Sequence, residues 1–186
     1  MSKKVIGVFV GSLRKGSFSK KVANAITELA SDNLELRNIE IGDLPLYNED
    51  LDAGNVPAAW SKFRQEVKGV DGFLYVTPEY NRSYPAALKN ALDVGSRPYG
   101  QSVWDGKPGA IVSVTPGGLG AFGANHHLRQ PLTFLNVPVM QQPEAYISNV
   151  TALLDANGKV NDDDTKKFFK EFIDAFEKWV NLITAK

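Results

Sequence analysis

The residues best suited to chemistry fall in three loops, each at the end of a short apolar run. The first is Gly11-Ser12-Leu13-Arg14-Lys15-Gly16-Ser17, followed by Phe18 and Ser19. It stands where a strand would hand over to a helix, and the unpaired N–H groups and dipole of a helix N-terminus attract an anion. Ser12, Ser17 and Ser19 add hydroxyl donors, and Arg14 can meet a dianionic phosphate with a forked hydrogen bond. Gly11 and Gly16 have P-loop separation, but Ser17 stands where the lysine is required, which demotes a nucleoside triphosphatase. Ordinary turn and capping serines are the alternative. Position after the first strand of an alternating chain favours anion binding.

The second loop reads Thr77-Pro78-Glu79-Tyr80-Asn81-Arg82-Ser83-Tyr84-Pro85. Pro78 stiffens it, Tyr80 offers a flat ring for stacking, and Asn81 with the backbone amides can hydrogen-bond a planar heterocycle such as a flavin edge. A plain turn before a helix opening at Pro85 competes with that reading. The third loop holds Gly117 and then Gly118-Leu119-Gly120-Ala121-Phe122-Gly123, a literal GxGxxG with Glu144 some way beyond. A dinucleotide fingerprint belongs in the first strand-helix unit and this one falls in the fourth, so its glycines are read as letting backbone approach a ring closely. His126 and His127 are the only histidines. As helical neighbours they point about 100° apart, cannot form an i, i+4 metal pair, and are expected to be solvated.

The elements that position these loops are legible as alternating apolar patterns. Val5-Ile6-Gly7-Val8-Phe9-Val10 reads as a central strand buried on both faces. Val22, Ile26 and Leu29 predict a helix over 19–31, and Leu34, Leu36 and Ile39-Glu40-Ile41 a second strand. Pro57 can open a helix showing Trp60, Phe63 and Val67 on one side. Residues 71–77 predict a third strand stopped by Pro78, and a helix with Leu88, Ala91 and Leu92 starts near Pro85. Residues 110–114 predict a fourth strand; Leu128, Leu132 and Leu135 mark a helix kinked or restarted at Pro131; Val137-Pro138-Val139 begins a fifth strand. Asp162-Asp163-Asp164 suits the N-terminus of a last helix whose buried stripe is Phe168, Phe169, Phe172, Ile173, Phe176, Val180 and Ile183. Five such units imply a parallel sheet wrapped on both sides. The expected fold is a flavodoxin-like three-layer α/β sandwich, strand order 2-1-3-4-5, with 1–186 as one domain. Ligands in such sheets bind beyond the carboxyl ends of the strands, where the three loops fall.

Composition narrows the function. Twenty-one basic and twenty-one acidic residues cancel, which argues against nucleic-acid binding. No apolar run of eighteen residues predicts membrane insertion. Without cysteine there is no thiolate or cysteine-ligated cluster, so redox chemistry would need a bound cofactor. The short run after Lys3-Lys4 lacks signal-peptide features, and a cytoplasmic location is expected.

Gly11-Ser12-Leu13-Arg14 with Ser17, Pro78-Glu79-Tyr80-Asn81, and Leu88-Lys89-Asn90-Ala91-Leu92-Asp93 occur in that order. Together they resemble the NADPH-dependent FMN reductase family, most of all its bacterial quinone and chromate reductase branch, from about Lys4 to Tyr146. The resemblance implies that Ser12, Arg14, Ser17 and Ser19 contact the FMN phosphate. Pro78, Glu79, Tyr80 and Asn81, with Thr115, Gly117 and Gly118, would flank the ribityl chain and ring. It also implies a homodimer or homotetramer. The chain departs from the family pattern at Ser19, Arg82, Tyr84, Ala86 and Val94, mostly on the rim of the site, where substrate preference is set. The expected activity is transfer of hydride from NADPH or NADH to bound FMN and reduction of a small-molecule acceptor: a quinone, free flavin, an azo compound or a metal oxyanion such as chromate. No catalytic acid or base is assigned. Arg82 is a candidate contact for the NADPH phosphate or an anionic acceptor. The competing class is a flavodoxin-type electron carrier without its own substrate; such carriers are usually strongly acidic, and this chain is neutral.

Overall fold

The computed structural model describes residues 3–185. β1 (Lys4–Val10) pairs in parallel with β2 (Leu34–Asn38) on one edge and with β3 (Gly72–Pro78) on the other, Val8 lying opposite Leu74. β4 (Gly109–Val114) and β5 (Ala145–Ile147) continue the sheet in parallel. The order is β2-β1-β3-β4-β5, the flavodoxin-like arrangement. β1 is an interior strand, paired on both edges, and β3 is the middle one.

Period-two alternation divides the core between the two faces. Ile6, Val8, Leu74, Val76 and Val112 face α1 (Phe18–Glu28) and α7 (Asp163–Thr184), meeting Val22, Ile26, Phe169, Phe172 and Phe176. Phe9, Phe73, Tyr75 and Ile111 face α3 (Ala58–Lys68), α4 (Ala86–Gly95) and α5 (Phe122–Phe134), meeting Trp60, Phe63, Leu88 and Leu128. The short helices α2 (Glu49–Asp52) and α6 (Val150–Leu153) lie in connections. Trp104 anchors the second face. The rings of Phe9, Phe63, Phe73 and Tyr75 surround it at 5.0 to 6.3 Å, and its indole N–H donates to the Leu92 carbonyl at 3.0 Å. α4 can lie this close because Gly95 has no side chain; a Cβ there would fall 2.6 Å from the indole.

Three local expectations change. Val139 makes only a single parallel bridge to Gly109, and the fifth strand proper is Ala145–Ile147. Pro138 has no N–H for the ladder, so Val137-Pro138-Val139 cannot sustain pairing. α5 runs through Pro131 to Phe134 without restarting. The second strand stops at Asn38, and Ile39 and Ile41 are buried from the following loop.

Candidate cofactor site

At the end of β1 the Gly11 N–H donates to the Val76 carbonyl, so the first loop starts flush against β3. Ser17 is the N-cap of α1: its hydroxyl accepts from the Lys20 N–H at 3.1 Å, and its own N–H donates to the Arg14 carbonyl. Ser17 and Ser19 are 3% and 2% exposed. The Ser19 hydroxyl, the Arg14 guanidinium and the first-turn amides of Phe18 and Ser19 have no hydrogen-bond partner among the described residues. This set suits a phosphate.

The second loop is a tight hairpin. The Tyr80 N–H donates to the Ser83 carbonyl at 2.8 Å and the Ser83 N–H to the Tyr80 carbonyl at 3.0 Å. Asn81 and Arg82, between them, are both left-handed at φ 49° and 63°, as a two-residue turn with primed geometry requires. Glu79 does not turn toward solvent. One carboxylate oxygen accepts from the Ala124 N–H and the other from Arg82, both at 3.0 Å. After the hairpin, Pro85 caps α4 and leaves its first turn, Ala86 and Ala87, facing the same space as the first loop.

These elements enclose a cleft of about 520 Å³ beyond the carboxyl ends of β1, β3 and β4, a size typical of ligand sites. The structure brings Ser12, Arg14, Ser17, Ser19, Pro78, Glu79, Tyr80 and Thr115 together in its lining. Asn81 and Arg82 stand at the hairpin tip, and Gly117 and Gly118 are exposed beside the cleft; none of the four lines it. Leu13, Phe18, Pro85, Ala86, Ala87, Val114 and Pro116 do, giving it apolar walls that the sequence reading missed. Pro85-Ala86-Ala87 at a helix start was the available signal, since small residues there let a ligand approach the backbone.

The glycine-rich stretch is shaped by internal packing. A Cβ at Gly120, φ 59°, would fall 2.6 Å from that of Tyr146, and one at Gly123 would fall 2.9 Å from the Glu79 carboxylate. Two of the three fingerprint glycines thus make room for this protein's own residues. Ser113 and Asn125, both fully buried, support the loop from below: Ser113 donates to the Gly120 carbonyl at 2.7 Å, and the Asn125 amide donates to Ser113 at 3.2 Å. Glu144 is occupied too. Tyr146 donates to it at 2.7 Å, and burial first, then this hydrogen bond, pushes the phenol up to about 12. With its proton so committed, Tyr146 accepts from Nε2–H of His126 at 2.9 Å. His127 Nδ1 pairs with the Ser83 hydroxyl at 2.8 Å. The histidines, expected as solvated, are exposed but engaged.

The sequence profile of the NADPH-dependent FMN reductase family matches residues 4–152, most of the chain. The chain belongs to this family. A quinone reductase of Pseudomonas putida is 58% identical over 177 residues, covering 95% of each chain. A 2-hydroxy-1,4-benzoquinone reductase of a Burkholderia species is 46% identical over 175 residues, 94% of this chain and 95% of its own. Among solved structures, FerB, a flavoenzyme NAD(P)H:(acceptor) oxidoreductase from Paracoccus denitrificans, matches with a TM-score of 0.90 at 42% identity, covering 96% of this chain and 97% of that one. As a member of the NADPH-dependent FMN reductase family the chain is an oxidoreductase using FMN and NAD(P)H, not a plain electron carrier.

Proposed function

We propose that the cleft binds FMN and that the enzyme uses NAD(P)H to reduce quinones. Ser12, Arg14, Ser17 and Ser19 hold the phosphate, and Pro78, Glu79, Tyr80 and Asn81 with Thr115, Gly117 and Gly118 border the ribityl chain and ring. The observation that carries this is the convergence, in one cleft, of an anion-binding set (the exposed Arg14, the serines and the open amides at the α1 N-terminus) with an apolar-walled slot. FMN, when bound, supplies the redox chemistry between NAD(P)H and the acceptor. The protein supplies position and charge: Arg14 neutralises phosphate, Ser17 and the α1 N-terminus orient it, and Tyr80 at 72% exposure forms the rim where substrates enter. Quinones as acceptors are supported by the relatives from Pseudomonas putida and Burkholderia.

The finer parts of the proposal have separate supports. Arg82, its side chain 76% exposed, suits an anionic group such as chromate or the NADPH phosphate. Exposed Leu119, Phe122 and Phe134 suit a homodimer or homotetramer. A chain with no cysteine to cross-link fits the cytoplasm, and 1–186 is read as one domain.

The test is FMN binding by fluorescence quenching, followed by NAD(P)H oxidation with 1,4-benzoquinone. Arg14→Ala should raise the FMN dissociation constant about tenfold or more, the loss of one charge-assisted hydrogen bond. A wild-type protein that neither takes up FMN nor consumes NAD(P)H with any quinone overturns the reading.

A further inference from the structure

Helix α5 begins without a cap of its own. Its N-cap residue, Ala121, is left-handed with no side chain to accept a hydrogen bond, and its first turn contains no acid. Helix N-termini leave amides that need an acceptor, and a carboxylate there is favoured by the dipole. The carboxylate comes instead from Glu79, 45 residues earlier, whose oxygen accepts from the Ala124 N–H at 3.0 Å. The same side chain holds Arg82 at 3.0 Å, inside the hairpin where a non-glycine residue sits at φ 63°. Side chains disfavour that conformation, so it persists only where surroundings hold it. A second tie, Ser83 to His127 at 2.8 Å, joins the hairpin to the next turn of α5.

Gly123 fits the same scheme. A Cβ there would lie 2.9 Å from the Glu79 carboxylate oxygen and 3.2 Å from the Arg82 carbonyl, so a side chain must displace the carboxylate from its place and shift the hairpin by a few tenths of an ångström. No positive φ demands glycine at this position. Close approach of the hairpin does.

We propose that Glu79 is a positioning residue: its carboxylate caps α5 from outside and clamps the Tyr80–Ser83 hairpin, with Gly123 as the space that admits it. The clamp sets where Tyr80 stands at the rim of the cleft. This rests on the reading of that cleft as the FMN site.

The experiment compares wild type with Glu79→Ala, Glu79→Gln, Gly123→Ala and, as a control on the cleft itself, Arg14→Ala. Amide hydrogen exchange is followed at Tyr80 and Ser83 in FMN-free protein, and FMN affinity by fluorescence quenching. Glu79→Ala and Gly123→Ala are each expected to speed exchange at both amides and weaken FMN binding, by about tenfold, one lost ionic hydrogen bond. Glu79→Gln, which keeps an acceptor for Ala124 but not for Arg82, falls between. Gly123→Ala should hold its unfolding midpoint near wild type, because alanine suits a helix better than glycine; that separates positioning from general loss of structure. Unchanged exchange in both Glu79→Ala and Gly123→Ala overturns the clamp. So does weaker FMN binding in Glu79→Ala alone with exchange unaltered, which makes Glu79 a direct cofactor contact. If Arg14→Ala binds FMN as tightly as wild type, the reading of the cleft fails instead, while the exchange rates still decide the clamp.

Discussion

Arg64 grips Asp52 with two hydrogen bonds of 2.8 and 2.7 Å, and the two side chains are 11% and 7% exposed. The guanidinium holds the Asp52 carboxyl below its usual range. Tyr47, in the loop before α2, separately donates its N–H to Asn90 of α4 at 2.8 Å. A folded value below the unfolded one means the contribution is complete above the ordinary carboxylate range, near 3.9, and is lost as pH falls through the depressed folded value. Asp52→Asn should therefore lower stability at neutral pH by about 2 kcal/mol and reduce the further loss seen below about pH 4. Urea denaturation at a series of pH values checks both. Equal slopes against pH in wild type and variant would show that Asp52 titrates alike in the folded and unfolded chain. Nothing in the sequence marks this pair, because two residues twelve apart meet only through the turn between α2 and α3.

At the scale of elements, α4 and Trp104 make the most exacting contact. Gly95→Ala places a methyl 2.6 Å from the indole; it should destabilise by about 1–3 kcal/mol through overpacking, read from the shift in denaturation midpoint. Helices and strands were otherwise legible where burial imposes a period. α7 and β3 follow their patterns because one packs a single face and the other is buried on both. The first loop was legible because a serine N-cap and an arginine beside a helix start are local chemistry. What stayed hidden was non-local. Glu79 finds a backbone amide, and an amide carries no signature in a sequence. Gly120 and Gly123 matched a fingerprint by spacing, while their lack of side chains serves Tyr146 and Glu79. Val137-Pro138-Val139 has strand composition, yet a missing N–H ends the pairing after one bridge.

Across the whole molecule, α5 takes no part in lining the cleft, yet both loops that border the proposed ring site are fastened to it. Glu79 and Ser83 tie it to the loop after β3, and Asn125, through Ser113, ties it to the glycine stretch after β4. These ties predict that the helix and the two loops open as one cooperative unit, in which unravelling any part releases the rest. A ligand that binds only the closed unit stabilises it by mass action, about 2.7 kcal/mol at a hundredfold excess over its dissociation constant. FMN should accordingly slow hydrogen exchange along α5, which lies outside the cleft, more than along α3, which lies on the same face of the sheet. Equal protection of the two helices would show that the loops open independently of α5. If α5 is the more protected, escape of the cofactor is coupled to fraying of a helix outside the cleft, and the residence time of FMN is set partly by residues that do not line it.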